Sequence, residues 1–156
     1  MRVRRALNGD VDDAARVVAA VAEEGFLGAQ PPVDLGDRAQ RFRELIETNA
    51  VWVLEHQGKV VGYAAAPETV PGVLSIGMAI LPGARGQGGG HALLAAVQEH
   101  ASRVDAHKIS LEVWSDNARA IALYAAAGFQ VEGLRRDHYR RRDGSLRSTL
   151  IMAWRV

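Results

Sequence analysis

The chain has no cysteine among its 156 residues. That excludes disulfides, thiolate metal sites and any thiol nucleophile, and it suits a reducing compartment, so a cytoplasmic protein is expected. Long apolar runs are also missing, so neither a secretory leader nor a membrane span is expected. Net charge is nearly absent: 19 Lys and Arg stand against 18 Asp and Glu. So balanced a chain lacks the basic surface of a general nucleic-acid binder, and no nucleic-acid partner is expected. The histidines at 56, 91, 100, 107 and 138 show no metal-ligand spacing, and no metal is expected. Repeats, linkers and low-complexity tracts are absent, which leaves one domain over residues 1–156.

Glycine is present in one telling cluster. In Ser75–Ala101 the apolar run Ile76–Leu81 reads as a buried strand, broken by Pro82-Gly83. Arg85, Gly86, Gln87, Gly88, Gly89 and Gly90 follow, and a helix-period segment (Leu93, Leu94, Val97, Ala101) begins at once. Strand, glycine loop and helix start together suit a phosphate group. Free N–H groups and the helix dipole favour an anion there, and glycine lets the backbone come close. A plain left-handed turn without ligand is the alternative. A P-loop is excluded, because Gly90 is followed by His91-Ala92 rather than Lys-Ser/Thr. The dinucleotide fingerprint is excluded because His91 and Leu93 stand where its third glycine would fall.

The remaining chain reads as alternating helices and strands. Val3–Ala6 is a first strand, and Asn8 or Asp10 caps a helix to Glu24 with Val11, Ala14, Val18 and Val21 on one face. A second helix spans Asp37–Thr48, with Phe42, Leu45 and Ile46 inward. Val51–Glu55 and Lys59–Ala65 form a hairpin through Gln57-Gly58, and the central strand is Val73–Ile80. Beyond the glycine loop come a helix over Gly89–Arg103, a strand over Ile109–Trp114 and a helix over Asn117–Ala127 stopped by Gly128. Phe129–Glu132 and Ser148–Arg155 are the last strands. This order makes a single α/β domain with a mixed sheet. Gly77 inside the central strand marks either a bulge near a ligand or crowding by a neighbour.

Charge is uneven along the chain. Residues 10–48 carry nine acidic residues against four Arg, and residues 135–155 seven Arg against two Asp. The two segments are either solvated faces or an anionic acceptor groove and a phosphate-friendly surface. Arg140-Arg141-Arg142 is either a solvated connection or an attractor for an anionic acceptor.

A second polar set lies in Leu111–Phe129. Glu112 interrupts an apolar strand, Asn117 begins a helix, and Tyr124 stands two turns on, facing the same side. Each has a structural alternative, as outward strand residue, helix cap and core-edge aromatic. Taken together, Arg85-x-x-Gly88-x-Gly90 and Asn117-x-x-Ala120-Ile121-x-Leu123-Tyr124-x-x-x-Gly128-Phe129 resemble the two motifs of the GCN5-related N-acetyltransferases. The likeness is clear from Val51 onward and greatest to the ribosomal-protein N-terminal and phosphinothricin-type acetyltransferases. It implies a mostly antiparallel central sheet flanked by helices, with two central strands splayed around acetyl-CoA.

The resemblance also implies roles. Residues 85–91 (Arg85, Gly86, Gln87, Gly88, Gly89, Gly90 and His91) would hold the diphosphate. Met78, Ala79 and Ile80 would contact the coenzyme arm and polarise the thioester, and Asn117 would hold the coenzyme nearby. Tyr124 would protonate the departing thiolate. An amine is protonated at neutral pH, so a base must take its proton, and Glu112 matches that position in the N-terminal acetyltransferases. Burial near Val113 or Trp114 should make this glutamate a stronger base. A water chain ending elsewhere is the alternative. Without cysteine, direct attack in a ternary complex is expected. The acceptor would be a small primary amine, an amino acid or an amine-bearing toxin such as phosphinothricin, lying between Gly25–Pro32 and the C-terminal strands. A protein N-terminal acetyltransferase and a non-catalytic acyl-CoA sensor are the alternatives, and a homodimer is expected by analogy.

Overall fold

The computed structural model describes residues 1–156. Its strands are β1 (Arg2–Arg5), β2 (Val51–His56), β3 (Lys59–Ala65), β4 (Glu68–Val70), β5 (Val73–Ser75), β6 (Gly77–Ile80), β7 (Lys108–Trp114), β8 (Gln130–Arg140) and β9 (Leu146–Arg155). The helices are α1 (Val11–Ala22), α2 (Leu35–Glu47), α3 (Gly89–Arg103) and α4 (Ala118–Ala126). One sheet runs β1-β2-β3-β6 and the other β4-β5-β7-β9-β8. Every pairing is antiparallel except β5 with β7.

The central strand expected over Val73–Ile80 is therefore two strands, one in each sheet. Ile76 is the divide. Its N–H donates to the Ser110 carbonyl at 2.9 Å and keeps it with β7, while Gly77 already pairs with Ala65 on β3. The Ile76 side chain is buried in the core, which fixes the point of parting. Crowding does not explain Gly77, since a Cβ there would meet nothing within 4 Å.

Helix α1 buries more than the single face expected. Ala15, Val17 and Ala22 join Val11, Ala14, Val18 and Val21, because α2 covers one side and β3 with β6 another. Burying each of its valines is worth about 1.5–3 kcal/mol. Asp10 precedes α1 but does not cap it. Its carboxylate accepts from the Leu7 N–H at 2.8 Å and from both terminal nitrogens of Arg4 at 2.8 and 2.9 Å. Helix α2 starts two residues earlier than expected, capped by Asp34, whose side chain accepts from the Asp37 N–H at 2.8 Å. Its inward residues are Ala39 and Phe42, with Leu45 and Ile46 only half-buried. Helix α4 ends in a double turn-back: the Gly128 N–H bonds Ala125 and the Phe129 N–H bonds Tyr124, each at 3.0 Å, with Phe129 packed on Tyr124.

Two elements escape the sequence pattern. Strand β4 lies between the hairpin and Val73, where Pro67 and Pro71-Gly72 read as a loop. Strand β8 extends to Arg140 rather than stopping at Glu132, because nearly all of it is exposed and no alternation betrays it. No helix is long and apolar enough to cross a membrane.

Candidate active site

The parting of the sheets leaves backbone unpaired. The Leu81 N–H bonds the Val61 carbonyl at 2.9 Å, so by alternation Ala79 and Gly77 also turn their amides to β3. Met78 and Ile80 turn theirs into the gap. Across it, Ser115 bonds Ser148 at 3.0 Å, and the same alternation turns the main chain of Glu112 away from β9 toward the gap. A cleft of about 1080 Å³ follows this split.

One end of the cleft is the glycine loop. Every main-chain N–H from Gly86 to His91 is without an acceptor in the protein, and the first bond of α3 runs from Ala92 to Gly88 at 3.0 Å. Gly86 and Gly88 are left-handed (φ 74° and 83°), which aims this row of donors outward. Gly89 serves packing: a Cβ there would sit 2.5 Å from Leu54 Cδ2, which is fully buried. A Cβ on Gly90 would meet Leu123 at 2.9 Å. The Arg85 side chain braces the loop rather than reaching outward. It donates to the Ile80 carbonyl at 2.8 Å and grips both oxygens of Glu24 at 2.8 and 2.5 Å. Gln87 turns back to the Gly83 carbonyl at 3.4 Å. His91 lines the cleft with its ring exposed.

Asn117 and Tyr124 both line the cleft from α4. The Asn117 carbonyl oxygen caps the helix, accepting from the Ala120 N–H at 3.3 Å. That leaves its amide N–H groups for the cleft. Tyr124 is buried at its ring, and its hydroxyl opens on the cleft with no protein partner. Burial pushes its phenol well above the usual range, so it stays protonated at neutral pH.

Glu112 lines the same cleft, but its setting is not the buried, apolar one expected. Its side chain is a third exposed, because β7 alternates and it is the neighbours Leu111 and Val113 that point to the core. Tyr139 and Thr149 donate to Oε2 at 2.7 and 2.9 Å, and Arg135 pairs with Oε1 at 2.9 Å. Tyr139 reaches it because β8 bulges between Arg135 and Tyr139. This bond to Glu112 raises the Tyr139 phenol.

The far end is closed by a clasp that the sequence did not disclose. Arg141 donates to the carbonyls of Gly28 and Leu27, both at 3.2 Å, and Arg142 to that of Pro31 at 2.7 Å. Arg147 donates to Gly25 and to Asp116 (2.9 Å), with its guanidinium 4.4 Å from the Trp114 ring centroid. The arginine-rich turn between β8 and β9 is thus tied to the loop after α1 through Arg141 and Arg142, while Arg140 and Arg142 keep a solvated face. The charge pattern also resolves against an anionic groove. The cleft is lined by Arg38, Arg41, Arg85, Arg119 and Arg141 against Glu24 and Glu112, five against two. Tyr63 on β3, held edge-on by Phe42 at 4.9 Å, completes the far end, so all three tyrosines of the chain line one cleft. Tyr63, Tyr139, Arg38 and Arg41 were missed because no motif links them; only the sheet register and α2 bring them together. No cluster of three or more potential metal ligands is present.

A strand pair opened by one residue, with a donor row at its mouth and the unpartnered Tyr124 hydroxyl inside, is a cleft suited to a group-transfer enzyme with a long phosphorylated donor. The acetyltransferase (GNAT) family profile matches residues 19–129, and the chain belongs to that family. It is 32% identical over 100 residues to the [ribosomal protein bS18]-alanine N-acetyltransferase of Escherichia coli K12, covering 64% of this chain and 67% of that one. The ribosomal-protein-alanine N-acetyltransferase structure from Brucella melitensis superposes with a TM-score of 0.88 at 26% identity over the whole of both chains. A phosphinothricin acetyltransferase from Sinorhizobium meliloti, solved with acetyl-CoA, gives 0.85 at 22% identity, covering 99% of this chain and 88% of that one. This last likeness is one of fold.

Proposed function

We propose that the protein transfers the acetyl group of acetyl-CoA directly to the primary amine of a small molecule. The observation that carries this reading is the row of unpaired amides from Gly86 to His91 opening on the cleft that holds Tyr124 and Glu112. The amides and the start of α3 receive the diphosphate, and Asn117 donates to the coenzyme arm. The free N–H groups of Met78 and Ile80 stabilise the oxygen as the thioester carbon becomes tetrahedral. Glu112 takes the amine proton through water in the open cleft, and Tyr124 gives a proton to the departing thiolate. Only the family's own chemistry, acetyl donation, comes from the coenzyme.

The acceptor as a small molecule is supported by the clasp, which closes the far end with Arg141, Arg142 and Arg147. The name of the E. coli relative favours a second reading, acetylation of a protein N-terminus. Thiol release from acetyl-CoA, measured against small amines and N-terminal peptides, decides between them. Release with small amines is expected. Release with peptides alone would establish the second reading, and a covalent acetyl-protein formed without acceptor would overturn direct attack. A silent coenzyme sensor would bind acetyl-CoA and release no thiol with any amine.

A further inference from the structure

Most arginines here have an acceptor: Arg4, Arg85, Arg135, Arg141, Arg142 and Arg147 are all engaged. Arg38 and Arg41 are not. They stand one turn apart on α2, line the cleft, and make no hydrogen bond or ion pair. Arg38 is half-buried and Arg41 exposed, so both guanidinium groups are open to a ligand in the cleft. The acidic residues of α2 do not answer them, and both carboxylates lining the cleft are taken, Glu24 by Arg85 and Glu112 by Arg135. The Tyr63 phenol faces the same space: burial raises it, and the positive charge of Arg38 acts against that rise.

These cations are not placed for the coenzyme's diphosphate. A side cavity of about 320 Å³ contains Arg38, Arg41, Tyr63, Ser75 and Gly77 but no residue of the glycine loop. Gly77 and Ile80 are the two ends of β6, roughly 10 Å apart, and the loop follows the Ile80 end. Gly77 is exposed and lacks a neighbour within 4 Å of a would-be Cβ, so the floor between α2 and the gap is clear.

We infer that the acceptor carries an oxyanion beside its amine, and that Arg38 and Arg41, with the Tyr63 hydroxyl, hold that oxyanion. This rests on the acetyltransfer reading and narrows it. Guanidinium forks suit a carboxylate, a phosphinate or a phosphonate, and the amine then lies over Gly77 toward the parted strands. A peptide N-terminus offers a neutral amide at that position.

The test is steady-state thiol release with amino acids, their carboxamides, aminophosphonates and N-terminal peptides. The carboxamide keeps the amine and makes it less basic, which favours attack, so any preference for the acid reports the anion. The acid or the phosphonate is expected to exceed the carboxamide in kcat/KM by about tenfold or more, and which of the two leads identifies the oxyanion. Arg38→Gln and Arg41→Gln should each raise KM for the anionic acceptor and cut its preference over the carboxamide by about tenfold. Arg155→Gln, outside the cleft, should leave that preference in place. Equal use of carboxamides or peptides, or a preference that survives both cleft substitutions, would overturn the inference while leaving acetyl transfer intact. Release with none of the amines would remove both.

Discussion

Individual residues of the loop carry separable tasks. Gly86 and Gly88 set direction and Gly89 sets packing, so their substitutions should fail differently. Gly89→Ala drives a methyl into Leu54 and should cost about 1–3 kcal/mol of stability, read by thermal unfolding. Gly88→Ala meets no neighbour but strains a left-handed residue by about 1–2 kcal/mol. It should weaken acetyl-CoA binding in calorimetry. Tyr124→Phe deletes the unpartnered hydroxyl and should lower turnover by about 10²-fold with coenzyme affinity retained. The glycines, Asn117 and Tyr124 were legible because each sits in a short local pattern. The surroundings of Glu112 were not, since Tyr139, Thr149 and Arg135 reach it from β8 and β9, more than twenty residues along the chain.

Among the elements, α3 and the first sheet share a seam built on one histidine. His100 on α3 is nearly buried, takes a 2.9 Å contact from Arg5 on β1, and packs edge-on to Trp52 on β2 at 5.2 Å. Burial lowers its pKa, and the charges of Arg5 and Arg103 lower it further. The neutral ring belongs to the folded state, and the unfolded chain binds a proton more readily. Stability from this seam is therefore full above about pH 6.5 and is lost as pH falls below it. Asp10 and Glu24 have lowered pKa values through their arginines, and their contributions fade only below about pH 4. The melting temperature should drop between pH 7.5 and 5.5, and His100→Gln should flatten that slope. Helices and the β2–β3 hairpin were legible because their apolar residues recur at the right period. Strand β8 was hidden because exposed Arg, Asp and His carry no such period, and the break at Ile76 was hidden because an apolar run looks the same in one sheet or two.

For the whole molecule, a nearly neutral chain still builds a cationic cleft. The carboxylates of residues 10–48 stay outside it apart from Glu24, while five arginines line it. Coenzyme binding should therefore weaken with ionic strength, its KM rising several-fold between about 0.05 and 0.5 M salt. The α/β class with a mixed sheet follows from the element order alone, while the antiparallel bias is what the family resemblance implies. The sign of the cleft does not, because it depends on which faces of α2 and of the β8–β9 turn look inward.

The arginine clasp has a consequence for how such an enzyme diversifies. The donor end draws on β6, the glycine loop and α4, where motif and framework coincide. The far end draws on the loop after α1, one face of α2 and a hairpin tip, which neither sheet needs in order to close. Inherited changes in those three places can retune what is modified without retraining how the acyl donor is gripped, so a lineage keeps its currency while its customers change.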